Sequence, residues 1–163
     1  MDLPRVWAEI DLQTISENLK VCELLLAPGC RVLGVVKGDA YGHGAVPVAT
    51  TLEQSGIAML GVGDSHEAIQ LRAAGVLAPI LVLGAVVEGE ISDLIHHCVT
   101  PTIHSPERIG DFNRMARRLE IRMPVHLLMD TGMSRLGVAP SHALDHLQAI
   151  LESSHLTILG IGT

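Results

Sequence analysis

The chain predicts an α/β fold built on a parallel sheet, and three observations carry that expectation. Short apolar runs recur through its 163 residues, at 32–36, 59–63, 80–84, 99–103, 125–129 and 156–161. Continuous β-branched runs of this length suit strands buried on both faces. A helical pattern separates most runs from the next, at a repeat of about twenty to twenty-five residues. That is the rhythm of parallel βα units. Hydrophobic residues make up 48% of the chain but aromatics only 2%, so the core must be aliphatic, as in the layered interior of a parallel barrel. The length suits one domain. Two architectures fit, an open doubly wound sheet or a closed barrel. There is no GxGxxG at the first βα turn, which weakens the dinucleotide-binding version.

Taken in order, residues 6–10 read as a short strand-like piece. Leu12, Ile15, Leu19, Cys22 and Leu26 then recur at helical spacing. Thr14 and Glu17 fit a capping box, with Asp11 as a competing cap. Pro28-Gly29 ends that helix. After the 32–36 strand, a helix covers 46–54 and stops at Gly56. Asp64 or Ser65 caps the next helix, which runs to Ala74 and closes at Gly75. A short helix spans 88–97. Ser105-Pro106 is a helix start, a capping hydroxyl followed by proline in the first turn, and that helix runs to about Leu119. The 125–129 strand ends at Asp130. Ser141 opens a helix that ends near Ser153.

The formal charge of −7 argues against nucleic acid or an anionic membrane as the main partner. Cys22, Cys30 and Cys98 have no CxxC spacing and read as reduced thiols, which points to a cytoplasmic protein. The start of the chain, Met1 to Trp7, has no apolar signal core. The longest uncharged run, 73–87, is too short to span a bilayer and is broken by Pro79 and two glycines.

The stretch that carries chemistry adjoins the 32–36 run. That run ends abruptly on Lys37, and three glycines, a tyrosine and a histidine come within the next seven residues. A buried strand that ends on lysine puts an amine at the rim of a core, where packing rarely needs one. Glycines let the backbone approach a ligand or adopt positive φ. A cofactor site is one reading. A snorkelling lysine above an ordinary turn is the other.

The run Val36-Lys37-Gly38-Asp39-Ala40-Tyr41-Gly42-His43-Gly44 resembles the pyridoxal-phosphate signature of alanine racemases. Gly38 departs mildly from the family's usual alanine. Asp130-Thr131-Gly132-Met133-Ser134-Arg135-Leu136-Gly137 resembles the family's second hallmark in this half of the fold. The resemblance implies a (β/α)8 TIM barrel. About six strands are countable here, whereas a full barrel takes about 250 residues. The expectation is therefore an N-terminal barrel domain over residues 1–163 that is incomplete, with the family's C-terminal β-domain absent and the isolated chain marginally stable and inactive by itself.

For function, the resemblance implies an isomerase that interconverts L- and D-alanine for peptidoglycan synthesis, by a two-base mechanism, with a homodimer in the full-length protein. Lys37 would bind pyridoxal 5'-phosphate and act as one base. Tyr41 would contact the cofactor phosphate, the alternative being a phenol that anchors a loop. Arg135 would bond the cofactor's phenolic oxygen and help place the substrate carboxylate; the alternative is a surface salt bridge to Asp130. Leu83 would line the cofactor ring, or be a plain core leucine. Leu128 departs from the family, which often has a modified lysine there to brace the arginine. The second base, a tyrosine from the partner subunit, has no counterpart here.

Two other readings stay open: a non-catalytic cofactor-binding barrel of the same superfamily, and an unliganded structural fragment. The nine histidines raise a metal reading, at His96-His97 and at His142 with His146. No HExxH pattern accompanies them, so solvated surface histidines are expected and no metal. Asp64 with Glu67, and Glu9 with Asp11, read as cap and edge charges.

Overall fold

The computed structural model describes residues 5–163. Residues 1–4, part of the stretch that lacks a signal core, lie outside the described residues.

Six strands form one parallel sheet: β1 (Leu33–Val35), β2 (Met59–Val62), β3 (Ile80–Val82), β4 (Thr100–Ile103), β5 (Met123–Leu128) and β6 (Leu156–Gly162). Their order in space is their order in the chain. A doubly wound sheet reverses direction at a switch point; this one does not, and its strands succeed each other as in an arc of a barrel. The helices are α1 (Leu12–Leu24), α2 (Lys37–Gly42), α3 (Ala45–Gln54), α4 (Ser65–Ala73), α5 (Ile91–His96), α6 (Pro106–Arg118) and α7 (Ala143–Glu152). Parallel crossovers are right-handed, so a sheet wound in one direction collects its helices on one face.

The core lies between that face and the helices. Leu60, Val62, Ile80, Val82, Ile103, Val125 and Leu127 from the strands meet Leu71, Leu94, Phe112, Ala116 and Ile150 from the helices. On α6 the spacing of Ile109, Phe112 and Ala116 puts all three on the buried side. Burial of each large aliphatic side chain contributes about 1.5–3 kcal/mol.

Several local expectations change. Residues 6–10 form no strand. Val6 and Trp7 are exposed, and the free edge of β1 is left unpaired by them. Burial on both faces holds for β2, β3 and β4, but not for β5 or for the edge strands β1 and β6. Asp11, not Thr14 with Glu17, caps α1. Its carboxylate accepts from Gln13 N at 2.9 Å and Thr14 N at 3.1 Å, while Glu17 accepts from the Gln13 side chain. The Ser105 hydroxyl makes no cap bond to α6. Among the described residues no helix is long and apolar enough to cross a membrane.

Candidate functional site

Parallel strands deliver all their carboxyl ends to one rim of the sheet. Lys37 stands at that rim, two residues beyond β1. The turn that it opens has an uncommon backbone. Gly38, Asp39, Ala40 and Tyr41 all lie in the left-handed helical region, with φ between 52° and 60°. Three of the four are not glycine, and each left-handed L-residue costs roughly 1–2 kcal/mol. Such a turn persists only where its surroundings hold it. Ala40 N donates to Val36 O at 2.8 Å and Gly44 N to Asp39 O at 2.9 Å. The Asp39 carboxylate accepts from Ala45 N at 2.7 Å, which caps α3 where Gly44 has no side chain to do so. The Glu67 carboxylate accepts from Gly38 N and from Gly63 N, both at 2.7 Å.

Opposite the turn, the chain beyond β5 folds back on itself. Asp130 N donates to Val138 O and Val138 N to Leu128 O, each at 2.9 Å. Inside this loop the Asp130 carboxylate accepts from Ser134 N at 2.9 Å and Gly132 N at 3.0 Å. Those N–H groups, Ser134 first, hold its carboxyl below the usual carboxylate range. Gly137, at φ 117°, is needed here, because a Cβ would sit 2.7 Å from Asp130 N. The loop presents Arg135 at its tip. Asp130 is occupied with backbone N–H groups, and Arg135 makes no salt bridge to it, contrary to the surface-pair alternative.

Between turn and loop lies a cavity of about 240 Å³. Lys37, Arg135, Leu83, Leu128, Met133 and Leu136 are among the residues that line it. Three of the four side chains singled out from sequence thus meet in one place, contributed by the ends of β1 and β3 and by the loop after β5. Tyr41, the fourth, is 65% exposed on the left-handed turn and is not among the lining residues. Leu128 lines the wall and offers no polar atom near Arg135. The donor set suits a cofactor of pyridoxal phosphate's chemistry: an amine at a strand end, a forked cation, and apolar leucines and methionines to face a ring.

Sequence reading missed Glu67, which reads there as a cap charge. A signal existed in the Asp64-x-x-Glu67 spacing directly after a glycine strand end. It also missed how closely the strand ends approach: a Cβ on Gly84 would fall 2.1 Å from Gly63 O. Among the described residues no three His, Cys, Asp or Glu side chains gather as for a metal. The His96, His97 and His146 rings instead bond the carbonyls of Ser92, Asp93 and His142 in their own helical segments.

Comparison with known proteins bears on the family and the fold. Residues 10–163 match the family model described as alanine racemase, N-terminal domain. The chain is 38% identical over 159 residues to alanine racemase of Methanococcus maripaludis, covering 97% of this chain and 43% of that protein. It is 41% identical over 160 residues to alanine racemase of Nostoc sp., covering 96% and 42%. Among solved structures, alanine racemase of Clostridium difficile 630 superposes with a TM-score of 0.85 at 33% identity, over 92% of this chain and 39% of that one. The enzyme from D-cycloserine-producing Streptomyces lavendulae gives 0.86 at 28% identity, over 93% and 40%. The chain thus spans about two fifths of the length of the relatives it matches. By the extent of the family match and the shared parallel fold, this chain belongs to the alanine racemase N-terminal domain family.

Proposed function

We propose that residues 1–163 are the N-terminal barrel portion of a pyridoxal-phosphate-dependent alanine racemase of the cytoplasm, active as a homodimer. The observation that supports this most is the convergence of Lys37, Arg135 and Leu83 on one cavity at the carboxyl ends of parallel strands, where barrel enzymes keep their chemistry. When bound, the cofactor supplies an electron sink for charge at the α-carbon of alanine. Lys37 would hold it in the absence of substrate, and the Lys37 Nζ, freed when the substrate amine takes its place, would take or deliver the α-proton on one face. The Arg135 guanidinium bonds the cofactor's phenolic oxygen and the substrate carboxylate, a task its planar fork suits better than an ammonium. Leu83 and Leu128 keep water from the ring. Tyr41, exposed on the turn beside Lys37 and outside the cavity lining, is assigned no contact here. Tyr41, the one tyrosine here, shares its turn with Lys37 and is not placed to act as a second base on the opposite face.

The test is an absorbance spectrum with pyridoxal phosphate before and after borohydride, with peptide mapping, and a racemase assay on the longest form of the protein that carries this chain. Reduction should fix the cofactor on Lys37. Lys37→Ala should lower racemisation by at least about a thousand-fold. Unchanged activity in that variant would sink the proposal.

One observation favours a second reading. Leu128 gives Arg135 nothing to bond, and among the described residues Arg135 has no ion pair. A barrel that binds the cofactor without turning over substrate fits that arrangement. Cofactor fixed on Lys37 with no racemisation in the longest form would favour it.

A further inference from the structure

Glu67 does something its position does not require. It is the third residue of α4, where a carboxylate ordinarily turns back to the N–H of its own cap residue. Asp64 is that cap, and it accepts from Glu67 N at 2.9 Å as the pattern demands. The Glu67 carboxylate nevertheless passes Asp64 and spans two strand ends. Oε1 accepts from Gly38 N and Oε2 from Gly63 N, both at 2.7 Å. These are short, charge-assisted bonds. Gly38 N belongs to the Lys37–Gly38 peptide plane, so holding it fixes the backbone from which the Lys37 side chain departs. On the other side, Val36 N donates to Gly61 O at 2.8 Å. Lys37 is therefore anchored to β2 both before and after its own Cα. The Lys37 stem also runs close by: a Cβ on Gly63 would stand 3.2 Å from Glu67 Oε2 and 3.6 Å from Lys37 Cβ.

We propose that Glu67 is a positioning residue for Lys37, clamping the start of the left-handed turn to the end of β2 so that the amine is held over the cavity. The inference rests on the reading of Lys37 as the cofactor-binding amine. A carboxylate is needed because two N–H donors converge on it, and a carboxamide can accept from only one while its NH2 meets the other.

Lys20 and Lys37 are the only lysines in the chain, and Lys20 is exposed on α1. Lys20 is thus an internal control for pyridoxal phosphate trapped by borohydride on the full chain. In E67Q the Lys37-to-Lys20 trapping ratio should fall by about ten-fold, in line with the sensitivity of such sites to displacements near 1 Å. Amide exchange at Gly38 and Gly63 should quicken by a similar factor, with Leu60 and Val82 unchanged. E67D keeps the charge but shortens the reach by one methylene. It should give the same pattern, and it carries the test if E67Q also loses protection at Leu60 and Val82. An unchanged trapping ratio, or unchanged exchange at the two glycines, overturns the proposal. If the wild-type chain shows no preference for Lys37 over Lys20, the cofactor reading fails instead, and amide exchange alone decides the clamp.

Discussion

At the amino end of the sheet, Arg72 reaches from α4 and donates to the carbonyls of Val76 and Ala78 at 2.8 Å, His97 at 3.0 Å and Cys98 at 3.4 Å. Beside it the Glu53 carboxylate accepts from Leu77 N and Ala78 N. At the carboxyl end, Glu67 and Asp39 likewise spend charged oxygens on backbone N–H groups. The device is the same, but the backbone it holds is not. At the amino end the left-handed non-glycine residues Cys98 and Glu120 occur singly, just past α5 and α6, where a helix normally ends in that conformation. At the carboxyl end three fall in succession, directly after Lys37 and Gly38. The amino-end clasp ties loops into a relaxed fold, whereas the carboxyl-end clamp holds a strained one in place beside Lys37. Strain sits where chemistry is proposed.

The sharpest way to break that contrast is Arg72→Ala. It would leave up to four carbonyls without their donor, each costing about 1 kcal/mol or more where water cannot replace it. Burial already draws the guanidinium below its ordinary pKa, though not enough to remove its charge. A loss of about 3 kcal/mol in urea melts is expected, with the Lys37-to-Lys20 trapping ratio unchanged. A ratio that fell with stability would mean the two ends are not separable. Asp39→Ala should behave in the opposite sense. It removes the cap on α3 and puts alanine where aspartate tolerates the left-handed conformation better. About 1–2 kcal/mol should be lost, but here the trapping ratio should fall as well. If stability drops and the ratio holds, the turn does not aim Lys37.

At the amino end the helix stops were legible in the chain but the Arg72 and Glu53 clasp was not, and the carboxyl end was legible only in part. Gly56 and Gly75 announce helix ends by composition, and both sit at φ 87° as that reading requires. All six strands were visible as apolar runs, because core burial depends on residue type along one segment. Lys37 stood out because an amine is costly at the end of a buried strand, and Arg135 through the resemblance of 130–137 to a family motif. Glu67 did not. A carboxylate three residues into a helix has a local explanation that satisfies every sequence rule, and only the third dimension shows that its partners are Gly38 and Gly63. The strain at Asp39, Ala40 and Tyr41 was equally hidden, since none of the three is a residue that demands positive φ. Burial of the edge strands was overestimated for a related reason: a run of apolar residues does not say how many faces are covered.

The smallest expected effect concerns the face of β5 that the helices leave uncovered, midway between the two ends. His126 on β5 pairs with Gly160 on β6, and a Cβ at Gly160 would lie 2.7 Å from the His126 ring. Its Nε2 is buried without a partner. Burial lowers its pKa below the ordinary imidazole value of 6.5. The folded chain therefore binds fewer protons at this site than the unfolded chain does between the two pKa values. Stability from His126 is complete above pH 6.5 and is lost as pH falls through that value toward the folded pKa. The carboxyls of Asp11, Glu107 and Asp130 are also held low, but their contributions fade only at more acidic pH, below ordinary values of 3.8 and 4.5. The melting temperature should thus decline as pH falls below 6.5, and His126→Asn should flatten that decline while leaving the trapping ratio at Lys37 in place. A slope that persists in the variant would move the pH sensitivity to other groups. A flattened slope with a reduced ratio would show that the sheet's open face and its carboxyl rim are coupled through β5, whose last residue, Leu128, lines the cavity.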